Sequence, residues 1–111
     1  MVGDVIRIPD SLTGCSDNPE KRRWCMVVAD LGFSVRVLPR SASGGEGVFV
    51  PKEAMPRFTE HGHFYYDPKS LPLSSLTGYD NIGQLPEPYQ AQVLELAREG
   101  RRRRKRKARG E

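Results

Sequence analysis

Arg23 and Ser41 are the residues of this 111-residue chain whose types and expected proximity suggest chemistry. Arg23 precedes the first strand of a predicted β-hairpin, and Ser41 follows the second strand. A guanidinium presents paired N–H donors in a fixed fork, and a hydroxyl adds another donor, so the two together suit the oxygens of a phosphodiester. The sequence therefore predicts a phosphate-binding cluster at the open end of the hairpin. A solvated hairpin end with charges at its rim is the alternative interpretation.

Further polar residues are expected around this pair. They flank it in the sequence, come from the polar loop that precedes the hairpin, or begin the Gly-rich loop that follows it. They are Asp17, Asn18, Glu20, Arg22, Arg40 and Ser43. Trp24 offers a ring on which an unpaired RNA base could stack. Packing of Trp24 in the core or in a dimer interface is the alternative.

The hairpin is predicted from two apolar segments that flank a short turn. Residues 24–29 are apolar on both faces, as in a central strand, and residues 33–38 alternate between apolar and polar side chains. Asp30-Leu31-Gly32 joins them, and Gly32 can take a positive φ in a turn with a bulge. We therefore expect an antiparallel pair over these residues.

The register of the hairpin decides how close the pair comes. We expect Ala29 to face Phe33. Arg23 then lies opposite Pro39, and Ser41 is its diagonal neighbour on the same face, with Cβ atoms about 7–8 Å apart. A bulge at the turn would shift the register by one residue and bring neighbouring members of the cluster into these positions. The predicted cluster therefore survives a slip of one residue.

The rest of the sequence predicts further short strands and one helix. Residues 2–8, 48–50 and 64–66 read as strands, residues 10–21 as a loop, residues 52–55 as a helical turn, and residues 69–85 as an irregular segment with one more strand or turn. The last element begins at Pro86 or Pro88 and ends at Gly100, with Tyr89, Val93, Leu96 and Ala97 on one face. Four or five strands and one helix predict a mainly β protein, a small and strongly bent antiparallel barrel.

The charges divide the chain into two parts. Residues 1–100 carry ten basic and thirteen acidic side chains and form the predicted domain, whereas residues 101–111 carry eight basic side chains and one acidic one. Arg101, Arg102, Arg103 and Arg104 begin this basic tail, whose like charges repel one another and predict disorder when it is free. The tail could bind phosphates, dock an acidic partner, or serve solubility alone.

Several classes of protein are excluded by composition. No apolar run approaches the roughly 18 residues of a membrane span, and the first residues lack the pattern of a secretory signal, so we expect a cytoplasmic protein. Cys15 and Cys25 form no Cys-x-x-Cys motif, and both are expected to stay reduced, Cys25 as a small buried hydrophobe. His61 and His63 could shuttle protons or bind a metal, but no third ligand is evident. We therefore expect no metal and no cofactor.

Four ordered segments of the sequence resemble the MazF/PemK-like toxins of prokaryotic toxin–antitoxin systems, which share an SH3-like barrel with the CcdB toxins. The segments are Gly3-Asp4-Val5 with Ser16-Asp17-Asn18, residues 23–28, residues 37–43, and Ile82-Gly83-Gln84-Leu85. The resemblance covers roughly residues 2–99. Trp24 stands where the family usually has proline, and Asp17-Asn18 stand where it commonly has Glu-Gln.

The resemblance implies a metal-independent endoribonuclease toxin that cleaves single-stranded mRNA. In the family an arginine at the start of the second strand and a serine or threonine after the third act on the scissile phosphate, which here are Arg23 and Ser41. The expected reaction is attack by a ribose 2′-hydroxyl on the adjacent phosphate, with protons moved by Asp17, Glu20 or a histidine. A homodimer and a small acidic antitoxin are the expected partners. The alternatives are a non-catalytic SH3-like module that binds nucleic acid or protein, and a CcdB-like topoisomerase poison.

Overall fold

The computed structural model of the chain describes residues 1–13, 20–43 and 45–108. Its strands are β1 (Asp4–Pro9), β2 (Arg22–Asp30), β3 (Ser34–Ser41), β4 (Val48–Val50), β5 (Gly62–Phe64), β6 (Lys69–Pro72) and β7 (Asp80–Gln84). The helices are α1 (Asp10–Thr13) and α2 (Tyr89–Ala108), with 3₁₀ turns at Lys52–Ala54 and Leu73–Gly78. The predicted class, a mainly β antiparallel fold with one C-terminal helix, is confirmed.

The strands form one curled, half-barrel sheet. Its order is β4-β5-β3-β2-β1-β7, every pairing is antiparallel, and β6 also pairs with β3. The long strand β3 causes the curl, because residues 34–37 pair with β6 whereas Arg40 and Ser41 pair with β5. The described residues contain seven strands rather than four or five, since the segment predicted to be irregular supplies β6 and β7.

Two apolar clusters lie on the two faces of this sheet. One contains Met26, Leu38, Phe64 and Leu85 and is covered by α2, whose Val93 is fully buried within it. The other contains Ile6, Ile8, Cys25, Val27, Val35, Val37 and Leu71. The predicted apolar stripe of α2 is confirmed, because Tyr89, Leu96 and Ala97 also pack against the first cluster. Cys25 is fully buried, as predicted, and Cys15 lies outside the described residues.

The hairpin register differs from the prediction. Cys25 faces Pro39 and Val27 faces Val37, and an irregularity between Val27 and Ala29 then shifts the pairing by one residue. The turn has three residues, as expected, but it lies one residue further along the chain, because β2 ends at Asp30 and β3 begins at Ser34. Gly32 has φ +92° and its N–H donates to the Asp30 carboxylate over 2.9 Å, so the expected positive φ is present.

Other element boundaries also need correction. A turn of helix, α1, lies in the segment predicted to be a loop. β5 covers Gly62–Phe64 and therefore begins two residues before the strand predicted over residues 64–66. The helix does not end at Gly100, because α2 continues to Ala108. Gly100 is instead where the helix meets the Tyr66 ring, since a Cβ there would lie within 2.5 Å of three ring atoms. No helix in the described part of the chain is both long and apolar enough to cross a membrane.

Candidate nucleic-acid site

A basic depression of about 800 Å³ lies where β2 begins and β3 ends. Its charged lining residues are Arg7, Lys21, Arg22, Arg23 and Arg40 on the cationic side and Glu20 and Glu60 on the anionic side. Trp24, Ser41, Ala42, Ser43 and Thr59 complete the wall. The excess of cations is local, because residues 1–100 as a whole are slightly acidic. The depression is therefore suited to an anion such as a nucleic-acid backbone.

Arg23 is held in the depression by a buried carboxylate. Its Nε donates to Asp10 Oδ1 over 2.6 Å, and its Nη2 donates to Asp10 Oδ2 over 3.1 Å. Asp10 is fully buried at the point where β1 passes into α1, and Arg23 retains 12% of its side-chain exposure. A paired contact of this kind fixes the plane of the guanidinium as well as its position. Arg23 is therefore preorganised before any ligand arrives.

Ser41 lies beside Arg23, although the predicted register was wrong. Cys25–Pro39 is the last pair of the β2–β3 register, and Arg23 and Ser41 each lie two residues beyond it, toward the open end of the hairpin. Arg23 Nη1 donates to the carbonyl of Arg40 over 2.9 Å, which is the carbonyl of the peptide that leads into Ser41. Both side chains therefore line the same depression. The alternation of apolar residues thus predicted the right strand ends but not their pairing.

The Ser41 hydroxyl is part of a tight local turn. Its Oγ donates to the Ser43 carbonyl over 3.0 Å and accepts the Ser43 backbone N–H at 3.2 Å. The hydroxyls of Ser41 and Ser43 lie 3.2 Å apart. A hydroxyl rotates about its C–O bond, so the Ser41 proton can turn from the Ser43 carbonyl toward a bound phosphate oxygen.

Arg40 supports the site from the core side of the sheet. Its Nη2 donates to the carbonyls of Val50 and Glu60 over 2.9 and 2.6 Å, and its guanidinium carbon lies 4.0 Å from the centroid of the Phe58 ring. Burial lowers the pKa of Arg40, and the Glu60 carboxylate opposes that shift. Arg40 is 7% exposed, and these contacts are with the protein rather than with the open part of the depression.

Trp24 packs at the edge of the first apolar cluster, which matches the alternative given for it. Its ring centroid lies 5.9 Å from that of Phe58. The guanidinium carbons of Arg7 and Arg57 lie 5.3 and 5.5 Å from the Trp24 centroid, and both arginines contact the Asp80 carboxylate. The Trp24 ring is thus occupied by cation–π contacts within the protein.

The remaining predicted site residues divide into three groups. Glu20, Arg22 and Ser43 line the depression. Asp17 and Asn18 lie outside the described residues. Arg101, Arg102 and Arg103 are exposed on the extension of α2, where Arg101 and Arg103 border other cavities, and Arg104 continues the same helix. Of the tail side chains that the structure describes, Arg101, Arg102 and Arg103 do not line the depression, and disorder of the free tail stays a prediction.

The two histidines lie next to the site but form no metal centre. His63 is opposite Ser41 in the β3–β5 pairing, and His61 Nδ1 accepts the Lys52 N–H over 3.1 Å. The residues that the structure describes contain no group of three or more histidine, cysteine or acidic side chains placed to bind a metal ion. His63 is the middle residue of β5, one residue before the strand predicted over residues 64–66.

Sequence reasoning missed Asp10, Arg7, Thr59 and Glu60. Asp10 lies two residues after the first predicted strand, beyond Pro9, and this position near a strand end is the one signal that the sequence carries for it. Its partner Arg23 is distant in the chain, and no pattern in the sequence pairs them. Comparison of the chain with protein-family models gave no match, and a search of curated proteins likewise gave none.

Proposed function

We propose that this protein is a metal-independent endoribonuclease that cleaves single-stranded RNA at the basic depression. The observation that carries the proposal is the placement of Arg23 and Ser41, which are remote in sequence and line one depression, with Arg23 bonded to the carbonyl that precedes Ser41. The resemblance to the MazF/PemK-like toxins adds the expectation that these two residue types act on a phosphodiester.

Arg23 and Ser41 would act on the charge that develops at phosphorus. The ribose 2′-oxygen attacks the adjacent phosphorus, the bond from phosphorus to the 5′-oxygen breaks, and a 2′,3′-cyclic phosphate and a 5′-hydroxyl are formed. Arg23 would neutralise the added negative charge, while the Ser41 hydroxyl would donate to a phosphate oxygen. Asp10 holds the guanidinium plane in place, so that little reorganisation is needed during the reaction.

Two proton transfers are also required. The 2′-hydroxyl loses its proton to a base, and the leaving 5′-oxygen gains one. Arginine is a poor base because it retains its proton at ordinary pH. Glu20, at the wall of the depression, and His63, across from Ser41, are the described residues that we propose for these steps.

The basic depression also supports a proposal about partners. An acidic antitoxin would complement the depression, since its carboxylates could occupy the positions of the RNA phosphates. A homodimer would place two such depressions in one particle. Both partners are proposed from the resemblance, together with the charge of the site.

A non-catalytic binding module is the second candidate. It is favoured by one observation, the neutralisation of Arg23 by the buried Asp10 carboxylate, which reduces the charge available to a transition state. Such a module would hold a nucleic-acid backbone in the same depression without cutting it.

Cleavage of a long RNA in EDTA tests the proposal. We expect the wild-type protein to leave 2′,3′-cyclic phosphate and 5′-hydroxyl ends, and Ser41→Ala and Arg23→Lys to cut about 10²-fold more slowly. Arg23→Lys keeps a cation beside Asp10 but removes the paired guanidinium donors. The change in cleavage rate then reports the loss of those donors with less disturbance of folding. Arg98→Lys is the matched control because Arg98 is exposed on α2. Full activity in both site variants would overturn the assignment of Arg23 and Ser41 as catalytic residues. An inactive wild type that still binds RNA would favour the binding module.

A further inference from the structure

Ser41, His63 and Phe49 form a row across three neighbouring strands. His63 of β5 faces Ser41 of β3 on one side and Phe49 of β4 on the other. Directly paired residues of antiparallel strands project from the same face of a sheet, so the three side chains share one face. Neighbouring strands lie about 4.8 Å apart, which puts Phe49 about 10 Å from Ser41. The row therefore leads from the edge of the basic depression to the edge strand of the sheet.

Phe49 is an aromatic ring that the core does not use. Its side chain is 50% exposed. Its ring centroid lies 5.3 Å from that of His63 and 5.8 Å from that of His61, at interplanar angles of 58° and 46°. Both imidazoles thus contact the phenyl ring, at centroid distances within the range of about 4.5–7 Å that aromatic pairs show. The exposed half of the ring remains open to a ligand.

We propose that Phe49, supported by His61 and His63, stacks an unpaired base of a strand whose backbone occupies the basic depression. Base stacking on an aromatic side chain next to a cationic groove is how proteins hold single-stranded nucleic acid. A duplex would not fit this arrangement, because its base faces are already stacked. The inference rests on the proposed function for the identity of the strand as RNA.

Neither of the other two candidate aromatics is placed for this role. Trp24 lines the depression, but the guanidinium groups of Arg7 and Arg57 already lie over its ring. Phe33 is 95% exposed but lies in the β2–β3 turn, at the opposite end of the hairpin from Ser41. Phe49 alone among these three combines an exposed ring with continuity to the depression.

A binding assay that does not need cleavage tests the inference. The probe is a fluorescein-labelled, mixed-sequence 20-nucleotide single-stranded RNA with 2′-O-methyl groups throughout, which cannot be cut by 2′-hydroxyl attack. We expect Phe49→Ala to weaken binding about 5- to 100-fold in fluorescence anisotropy. Phe33→Ala is the matched control, an exposed phenylalanine in the same protein, and its affinity should equal that of the wild type.

Abasic probes separate stacking from an indirect effect. Replacing single nucleotides of the probe by abasic ones should weaken wild-type binding at one or two positions, and the same replacements should have no further effect in Phe49→Ala. Equal affinity of Phe49→Ala and the wild type, additive losses, or failure of the wild type to bind would each overturn the inference.

Thermal melting shows whether Phe49→Ala folds, and Phe49→Tyr should restore binding because it keeps the ring. A wild type that binds the probe through Phe49 but cuts no RNA would refute the proposed nuclease and leave the stacking site standing. A wild type that cuts RNA but binds the probe as well as Phe49→Ala does would support the proposed nuclease and refute the stacking site.

Discussion

The Asp10 carboxylate and the Arg23 guanidinium form a two-pronged contact with N–O distances of 2.6 and 3.1 Å, and the carboxylate is fully buried. The contact ties the end of β1 to the beginning of β2. Through its Nη1, Arg23 also reaches the Arg40 carbonyl at the end of β3. One side chain therefore links three strands at the depression proposed to bind RNA.

Asp10→Asn should destabilise the fold by about 3 kcal/mol, because it removes the negative charge that faces the mostly buried Arg23 guanidinium. Urea unfolding followed by circular dichroism measures the free energy of unfolding. Asp80→Asn is the matched control, since the Asp80 carboxylate also contacts two arginines but is 46% exposed. An exposed pair contributes less than about 1 kcal/mol. Equal losses of unfolding free energy in the two variants would show that the burial of Asp10 does not determine how much its ion pair contributes to stability.

Gly62→Ala should destabilise the protein by about 1–3 kcal/mol through overpacking. A Cβ at Gly62 would lie 2.8 Å from the Ser41 carbonyl oxygen and 3.0 Å from the Arg40 guanidinium carbon. We also expect slower RNA cleavage, because the Ser41 peptide has to move. Gly78→Ala serves as the control, since a Cβ at Gly78 would meet no atom within 4 Å. A Gly62→Ala protein as stable and active as Gly78→Ala would contradict the tight β3–β5 contact.

Arg40→Lys should destabilise the protein at pH 7 by about 1–3 kcal/mol, because a lysine lacks the fork that binds the carbonyls of Val50 and Glu60. The loss should shrink as the pH rises. Burial lowers the pKa of Arg40, with Glu60 acting against it, and the same burial would lower that of a lysine below the unfolded value of about 10.4. The unfolded chain then binds more protons than the folded one, so stability increases with pH.

Urea midpoints at pH 7 and pH 10, each relative to the wild type, measure this effect. The exposed Arg98→Lys is the control and should show no change in its difference from the wild type between the two pH values. A constant deficit of Arg40→Lys at both pH values would mean that the lysine does not titrate differently in the folded state.

Truncation after Gly100 should reduce the salt dependence of RNA binding if the basic extension of α2 contacts phosphates. The truncated protein keeps the Gly100–Tyr66 contact and loses eight basic side chains. Six phosphate contacts would make binding of a single strand fall on the order of 10²- to 10³-fold between 50 and 200 mM salt. Filter binding at both salts compares the slopes of the two proteins. An unchanged slope would remove the extension from RNA contact.

Local sequence patterns predicted the elements better than their partners. Side-chain periodicity reports which face of an element is buried. It therefore predicted the apolar segments of β2 and β3, the strand over residues 48–50 and the apolar stripe of α2. The end of α2 was not predicted correctly. Gly100 looked like a helix stop, but its missing side chain makes room for the Tyr66 ring, a contact that comes from a distant segment.

By itself, the sequence determined that this is a mainly β chain with a C-terminal helix, and that Arg23 and Ser41 both stand at the open end of one hairpin. Tertiary structure alone decided the hairpin register, the burial of Asp10 under Arg23, and the row from Ser41 through His63 to Phe49. The physical reason is the range of the interactions. Periodicity and turn propensity act between near neighbours in the chain, whereas strand pairing and buried ion pairs join residues that only the folded sheet brings together.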